Sequence, residues 1–235
     1  MAAMQQDGLS EIVAGRIWAS ERPVWFGGVR LRARTSVIRL DDGRLLVHSP
    51  APPSAGLVKQ MADLGQVSWL VVPNCFHHLG TPAAAAAFPD AKILGPRSAA
   101  ARNPELRIDV DIHEPGFIEA VPEFALFPLA GVPFLDETLL YHRPTETLFG
   151  ADVVLWADEN DHWSWRFAAR ITGCFKRVSV PPDVKKKVAD KEAASRSLQA
   201  LQALPMKRLI VAHGDVIEDA PLAQLVAAWR LVGVE

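Results

Sequence analysis

Two adjacent histidines, His77 and His78, follow the apolar run Trp69-Leu70-Val71-Val72-Pro73 within the length of one turn. Imidazoles delivered to the end of a buried strand are common raw material for metal sites and for general acid–base chemistry. Three further apolar runs end in groups of the same chemical kind. His48 follows Leu45-Leu46-Val47, Asp152 follows Leu148-Phe149-Gly150, and His213 comes just after Leu209-Ile210-Val211. In layered α/β proteins ligands sit beyond the carboxyl ends of parallel strands, because the connecting loops converge there. Several imidazoles with one carboxylate form a borderline-soft set suited to Zn²⁺, Fe²⁺ or Mn²⁺. His77, His78, Asp152 and His213 are therefore candidate metal ligands, and His48 is a fifth.

Each residue also has a plainer reading. A histidine at a strand end is often a hydrogen-bonded structural residue. His48 could simply bond the loop after Pro50, and Asp152 could cap a turn. Cys75 reads as a small buried hydrophobe more readily than as a thiolate ligand or nucleophile. His113, His142 and His162 read as surface residues, with His142 in a solvent-contacting Tyr-His-Arg-Pro turn. Trp163 and Trp165 either line a pocket or cover the core.

The elements that must position these groups follow from the patterning. The first fifty residues read as β structure. Val29, Leu31 and Ala33 alternate with Arg30, Arg32 and Arg34 after a Gly27-Gly28 turn, and Asp42-Gly43 separates two apolar runs as a hairpin. Ser54 caps a helix through Leu57, Val58, Met61 and Leu64 that Gly65 ends. Thr81-Pro82 opens an alanine-rich helix to Phe88, and Lys92-Ile93-Leu94-Gly95 is a short buried strand. Strand alternating with helix implies βαβ units and a partly parallel sheet. Further strands are expected over Phe124–Leu129, Glu137–Tyr141, Thr147–Phe149 and from Arg208 to an end in His213-Gly214. Residues 160–182 read as aromatic-rich and irregular. Pro181-Pro182-Asp183 is expected to start one long helix carrying Val184, Val188, Leu198 and Leu201, with Lys185 to Lys187 on its solvated face. A last helix is expected over Leu222–Leu231. With no repeat and no linker, residues 1–235 read as a single domain with a flexible N-terminus at 1–10.

Bulk properties exclude several classes. The chain has 235 residues, 49% hydrophobic and 22% charged, the composition of an ordinary globular protein. A formal net charge of -2 argues against a nucleic-acid binder working through a general positive field. No apolar run approaches the ~20 residues that span a bilayer, so no membrane partner is expected. Residues 1–10 lack the basic and apolar regions of a signal peptide. Two cysteines, Cys75 and Cys174, make neither a disulfide framework nor a CxxC zinc site, which points to a reducing cytoplasm.

The order of these features resembles the metallo-β-lactamase superfamily: a β-rich half, a strand ending in clustered histidines before a glycine, a later Gly-x-Asp after a hairpin, and a near-terminal strand ending in His-Gly. The wording Leu46-Val47-His48-Ser49-Pro50, Pro73-Asn74-x-x-His77-His78 and Thr145-x-Thr147-Leu148 is similar to its DUF4336 branch. The resemblance runs from about Arg16 onward. It implies an α/β fold of the four-layer αββα sandwich type, with a site along one edge. Superfamily members usually carry His-x-His-x-Asp-His after this strand. Here the turn is Asn74-Cys75-Phe76-His77-His78: His78 fits the last histidine, His77 stands where the aspartate would be, and the first pair has no good counterpart. The usual first-motif aspartate is replaced by His48, and Val132 stands at or near another expected histidine, whereas Asp152 and His213 are retained.

A two-metal site needs about six or seven protein ligands around ions ~3.5–4 Å apart, so this set suits at most one metal. The resulting expectation is a metal-dependent hydrolase of a small molecule, with Glu137 the only candidate for a catalytic base. The alternative is a metal-free relative that uses the same cleft to bind a ligand or partner without hydrolysis.

Overall fold

The computed structural model describes residues 8–234. Eleven strands are present among them: β1 Ser10–Val13, β2 Ile17–Phe26, β3 Val29–Arg39, β4 Leu45–His48, β5 Val67–Val71, β6 Lys92–Gly95, β7 Val110–Asp111, β8 Phe124–Pro128, β9 Thr138–His142, β10 Thr147–Phe149 and β11 Arg208–Ile210. Eight helices join them: α1 Ala55–Leu64, α2 Thr81–Ala87, α3 Arg97–Arg102, α4 Gly116–Ala120, α5 Trp163–Thr172, α6 Pro182–Lys185, α7 Lys191–Leu201 and α8 Pro221–Arg230. One sheet has the order β1-β2-β3-β4-β5-β6-β7 and the other β11-β10-β9-β8. The described residues group into two compact units, one of 8–21 with 34–125 and one of 22–33 with 126–234.

In the first unit β4 is the hinge of the topology. It pairs antiparallel with β3 on one side, Ser36 opposite His48, and parallel with β5 on the other, His48 opposite Val71. The sheet then continues parallel through β6 and β7. β4 and β5 are buried along nearly their whole length, which is why their sequences run apolar without alternation. Leu45, Val47, Leu70, Val72 and Ile93 face a core closed by Leu57 and Met61 of α1 and Ala84 of α2. Trp69 packs edge-on against Phe117 of α4, with ring centroids 5.1 Å apart. Ser54 caps α1 as expected, its Oγ accepting the Leu57 N–H at 3.2 Å. Residues 1–7 of the proposed flexible N-terminus lie outside the described residues. Within 8–10, the Leu9 N–H donates to Gln60 Oε1 at 2.8 Å and Ser10 begins β1.

In the second unit β10 lies between β9, antiparallel, and β11, parallel. The Trp229 indole of α8, fully buried, donates to the Val153 carbonyl at 3.1 Å.

Several expectations are corrected. Residues 160–182 are not irregular throughout: α5 runs through them, with His162 Nδ1 accepting the Ser164 N–H at its start and Gly173 in the left-handed region at its end. The long helix after Pro181 is two helices. Asp190 is extended, at φ -136° and ψ 102°, and its carboxylate caps α7 by accepting the Ala193 N–H at 2.9 Å. His142 is fully buried rather than solvated, its Nδ1 2.8 Å from Thr145 Oγ1. Trp165 is core, whereas Trp163 keeps 70% of its surface exposed.

Candidate metal centre

The turn after β5 is shaped by Asn74. This residue has no exposed surface, and its Oδ1 accepts the N–H groups of Phe76 at 2.9 Å and His77 at 3.0 Å. An Asx-turn of this kind substitutes a side chain for a backbone carbonyl and fixes the direction of the chain after a strand. Asn74 thus acts on the backbone of the histidine turn. The His77 ring reaches Ser49, with Nδ1 and Oγ 2.6 Å apart. Ser49 leaves β4 with φ at 54°, a strained value for a non-glycine residue. That kink is held by the Ser49 N–H on the Val71 carbonyl at 2.9 Å and by the Thr35 hydroxyl on the Ser49 carbonyl at 2.8 Å. The turn can close against this segment because Gly80 has no side chain: a Cβ there would overlap the Pro50 carbonyl oxygen and the Ala51 Cα.

His48 and His78 flank His77 in different settings. His48 is 3% exposed, and burial, followed by repulsion from His77, pushes its imidazole down from the usual histidine range to about 3. It is therefore neutral across the physiological range. His78 is also lowered, by burial first and then by Arg102 and His77. Its Nδ1 lies 3.4 Å from Asn103 Nδ2. Cys75 is 1% exposed and behaves as the buried hydrophobe expected. Val132 is buried as well.

The second unit holds Asp152 and His213. His213 Nδ1 lies 2.7 Å from the Arg32 carbonyl oxygen. A carbonyl only accepts, so Nδ1 carries the proton and the remaining nitrogen, Nε2, is directed elsewhere. That nitrogen is 3.6 Å from Asp152 Oδ1. Asp152 is itself positioned by Glu137. The Glu137 carboxyl is 1% exposed, and its oxygens accept the Ala151 N–H at 2.7 Å and the Asp152 N–H at 2.9 Å. Glu137, the candidate base of the sequence, is here a buried anchor for the backbone that carries Asp152.

Arg32 is fixed from its other end. Its guanidinium donates to Asp161 at 2.8 and 3.3 Å and to Asp215 at 2.7 Å. Burial pulls the guanidinium down, but Asp161 and Asp215 outweigh it and hold the charge more firmly than usual. Burial, and a hydrogen bond to Asp215, push the Asp158 carboxyl up. Gly214, between His213 and Asp215, has φ at 135°, and a Cβ there would strike the Trp156 indole. Sequence reasoning missed Ser49, Arg32 and Asp161. Asn74 carried a readable signal, since Asn two or three residues before a needed backbone N–H is an Asx-turn pattern. Arg32 carried none beyond its place in an alternating strand.

The arrangement of strands and helices matches known folds along almost the whole chain. A metallo-β-lactamase from Pontibacter korlensis superposes with a TM-score of 0.64 at 14% identity, over 94% of this chain and 98% of that one. The FIM-1 metallo-β-lactamase from Pseudomonas aeruginosa, in its mono-zinc form, gives 0.67 at 11% identity over 97% and 96%. A metallo-β-lactamase from Erythrobacter litoralis gives 0.66 at 12% identity over 95% and 96%. The chain has the metallo-β-lactamase fold. The αββα sandwich expected from the sequence is thus the architecture of the protein. Residues 14–98 also match the family model described as Domain of unknown function (DUF4336), in the half of the metallo-β-lactamase fold that carries His48, His77 and His78. No curated protein matches the sequence. Among the described residues no helix is long and apolar enough to cross a membrane.

Proposed function

We propose that the protein is a metal-dependent hydrolase of a small molecule, with one divalent ion at Asp152 and His213. The observation that carries this reading is the pairing of His213 with Asp152. A hydrogen bond would bring the two atoms to about 2.7–2.9 Å. Two ligands each ~2.0–2.2 Å from a shared tetrahedral ion stand ~3.3–3.6 Å apart. The separation of 3.6 Å fits the second case. The donor set fits as well, because the bond from Nδ1 to the Arg32 carbonyl leaves the Nε2 lone pair of neutral His213 facing a carboxylate oxygen, a disposition that invites a cation.

Such an ion supplies Lewis acidity, polarising a carbonyl or phosphoryl oxygen and acidifying water. The protein's own groups do the positioning. The Arg32 carbonyl fixes the His213 tautomer, and Glu137 fixes the backbone under Asp152. In the first unit the Ser49 hydroxyl, 2.6 Å from His77 Nδ1, holds that ring. His48 and His78 fall outside the proposed ligand set. Metallo-β-lactamases of the same fold, one of them in a mono-zinc form, lend support to a hydrolase with one zinc.

The test is metal content of protein purified without chelator. Near-stoichiometric Zn, Fe or Mn that drops several-fold in Asp152→Ala and His213→Ala is expected; trace metal unchanged by either variant overturns the reading. A second reading has its own support. If His213 is protonated, its contact with Asp152 becomes an ion pair that needs no metal, and the protein would bind its ligand or partner without hydrolysis. The two readings separate on added metal. An ion at about 100 times its Kd stabilises the first by about 2.7 kcal/mol and leaves the melting temperature of the second unchanged.

A further inference from the structure

Apart from Leu231 at the end of α8, the large apolar side chains that stand out from the surface of the second unit are Trp25 68% exposed, Phe26 62%, Trp163 70%, Phe167 64% and Ile171 72%. They are not scattered. Trp25 and Phe26 form the tip of the β2–β3 hairpin, just before Gly27-Gly28. Trp163, Phe167 and Ile171 are spaced by four and so share one face of α5. The two elements form one block. The Arg30 N–H donates to Ser164 Oγ at 3.1 Å, and the Trp25 ring lies 5.9 Å from that of His162, the residue that caps α5. Beneath them Leu31, Trp165, Ala169 and Cys174 make a buried cluster on which Val24 and Val29 also pack. The exposed aromatics are therefore carried on a packed base. Exposed apolar groups gathered in this way mark an interaction surface.

Charge identifies the partner. Residues 162–182 contain Arg166, Arg170, Lys176 and Arg177 and no acidic residue, and residues 22–33, which carry the hairpin tip, contain Arg22, Arg30 and Arg32 and no acidic residue. Arg32 is held by Asp161 and Asp215 and Lys176 by Glu159, so Arg22, Arg30, Arg166, Arg170 and Arg177 supply the cationic character of the two elements in a chain whose net charge is -2. Arg170 is exposed on the same helix, its guanidinium carbon 3.6 Å from the Phe175 ring centroid. Two copies of this chain meeting through the patch would bring like charges together. Trp, Phe and Ile interleaved with Arg on a short amphipathic helix is the composition that lies in a lipid interface, the rings at headgroup depth and the guanidiniums on the phosphates.

We propose that the Trp25-Phe26 hairpin tip and the outer face of α5 dock this protein peripherally on an anionic lipid surface. Docking of this kind needs no membrane-spanning helix. The test is co-sedimentation of the full chain with phosphatidylcholine vesicles, alone or containing about one third phosphatidylserine. Binding to the anionic vesicles, weak binding to the neutral ones and release by salt are expected, with a blue shift of tryptophan emission on binding. Phe167→Glu should lower the bound fraction about tenfold or more by removing a buried ring, and Arg170→Glu about fivefold or more. Both sites are exposed, so melting temperatures should hold; if one variant melts early, Ile171→Ser and the salt dependence of the unaltered protein decide instead. Failure to bind anionic vesicles at low salt overturns the proposal. So does binding that Phe167→Glu leaves unchanged, or a dimer in solution that Phe167→Glu dissociates.

Discussion

Glu137 holds Asp152 from beneath: a carboxyl oxygen buried in the second unit accepts the Asp152 N–H at 2.9 Å while its partner oxygen accepts the preceding N–H at 2.7 Å. The strand that begins at Thr138 thus reaches across to set the chain at Asp152, the residue that faces His213. Glu137→Gln replaces one acceptor with an N–H donor aimed at an N–H. The expected cost is about 1–3 kcal/mol of stability, read as a lower urea midpoint, with weaker metal binding in the same variant. A variant as stable as the parent but catalytically dead would instead restore Glu137 to the role of a base.

His48 makes stability depend on pH. Its folded-state value is depressed to about 3 by burial and then by His77, so the native state binds fewer protons than the unfolded chain. The contribution is complete above the unfolded value of ~6.5 and is lost as pH falls toward ~3. His78 is lowered for the same leading reason and adds in the same direction. Urea midpoints measured from about pH 7 to pH 4 should fall by an equivalent of about 2–3 kcal/mol. His48→Gln should flatten the slope, and an unchanged slope would show that another group sets it.

Ser49 tests the orientation of His77. Removing its hydroxyl in Ser49→Ala takes away the group 2.6 Å from Nδ1. A shift of the His77 ring resonances is expected by NMR, with little change in melting temperature. Unchanged resonances would mean that packing alone orients the ring.

Arg32 tests the ion-pair network. Asp161 has a side chain only 2% exposed, and Arg32 is the cation on it. Arg32→Ala would leave that carboxylate buried without its guanidinium, at a cost of about 3 kcal/mol or more. The double variant Arg32→Ala with Asp161→Asn should recover part of the loss in thermal denaturation. Additive losses would contradict the coupling.

Apolar runs were the legible part of this chain. β4, β5, β6, β10 and β11 are short, buried on both faces and bounded by turn residues, so composition alone marks them. Helix α5 was hidden because three aromatics in five residues have middling helix propensity, and packing of Trp165 and Ala169 rather than propensity decides its form. The break between α6 and α7 was hidden because Asp190 competes as a cap only once the Gly131 carbonyl accepts the N–H groups of Ala189 and Asp190. For the candidate site, strand ends announced which titratable groups mattered. The groups that orient them act through backbone atoms, as Arg32 does on His213, and a backbone carbonyl has no signature in a sequence.

The position of β4, bonded on both edges, also sets where the chain can change length. A residue inserted in this strand would turn every side chain after it to the opposite face. His48 would exchange faces with Val47, and Ser49 would no longer meet His77. The same insertion in the turn at 41–44 would be taken up at the surface, where Asp41, Asp42 and Arg44 are exposed. Indels are therefore tolerated a few residues before His48 and forbidden at it, so the spacing from Leu45 to Ser49 is a fixed ruler while the loop before it is slack.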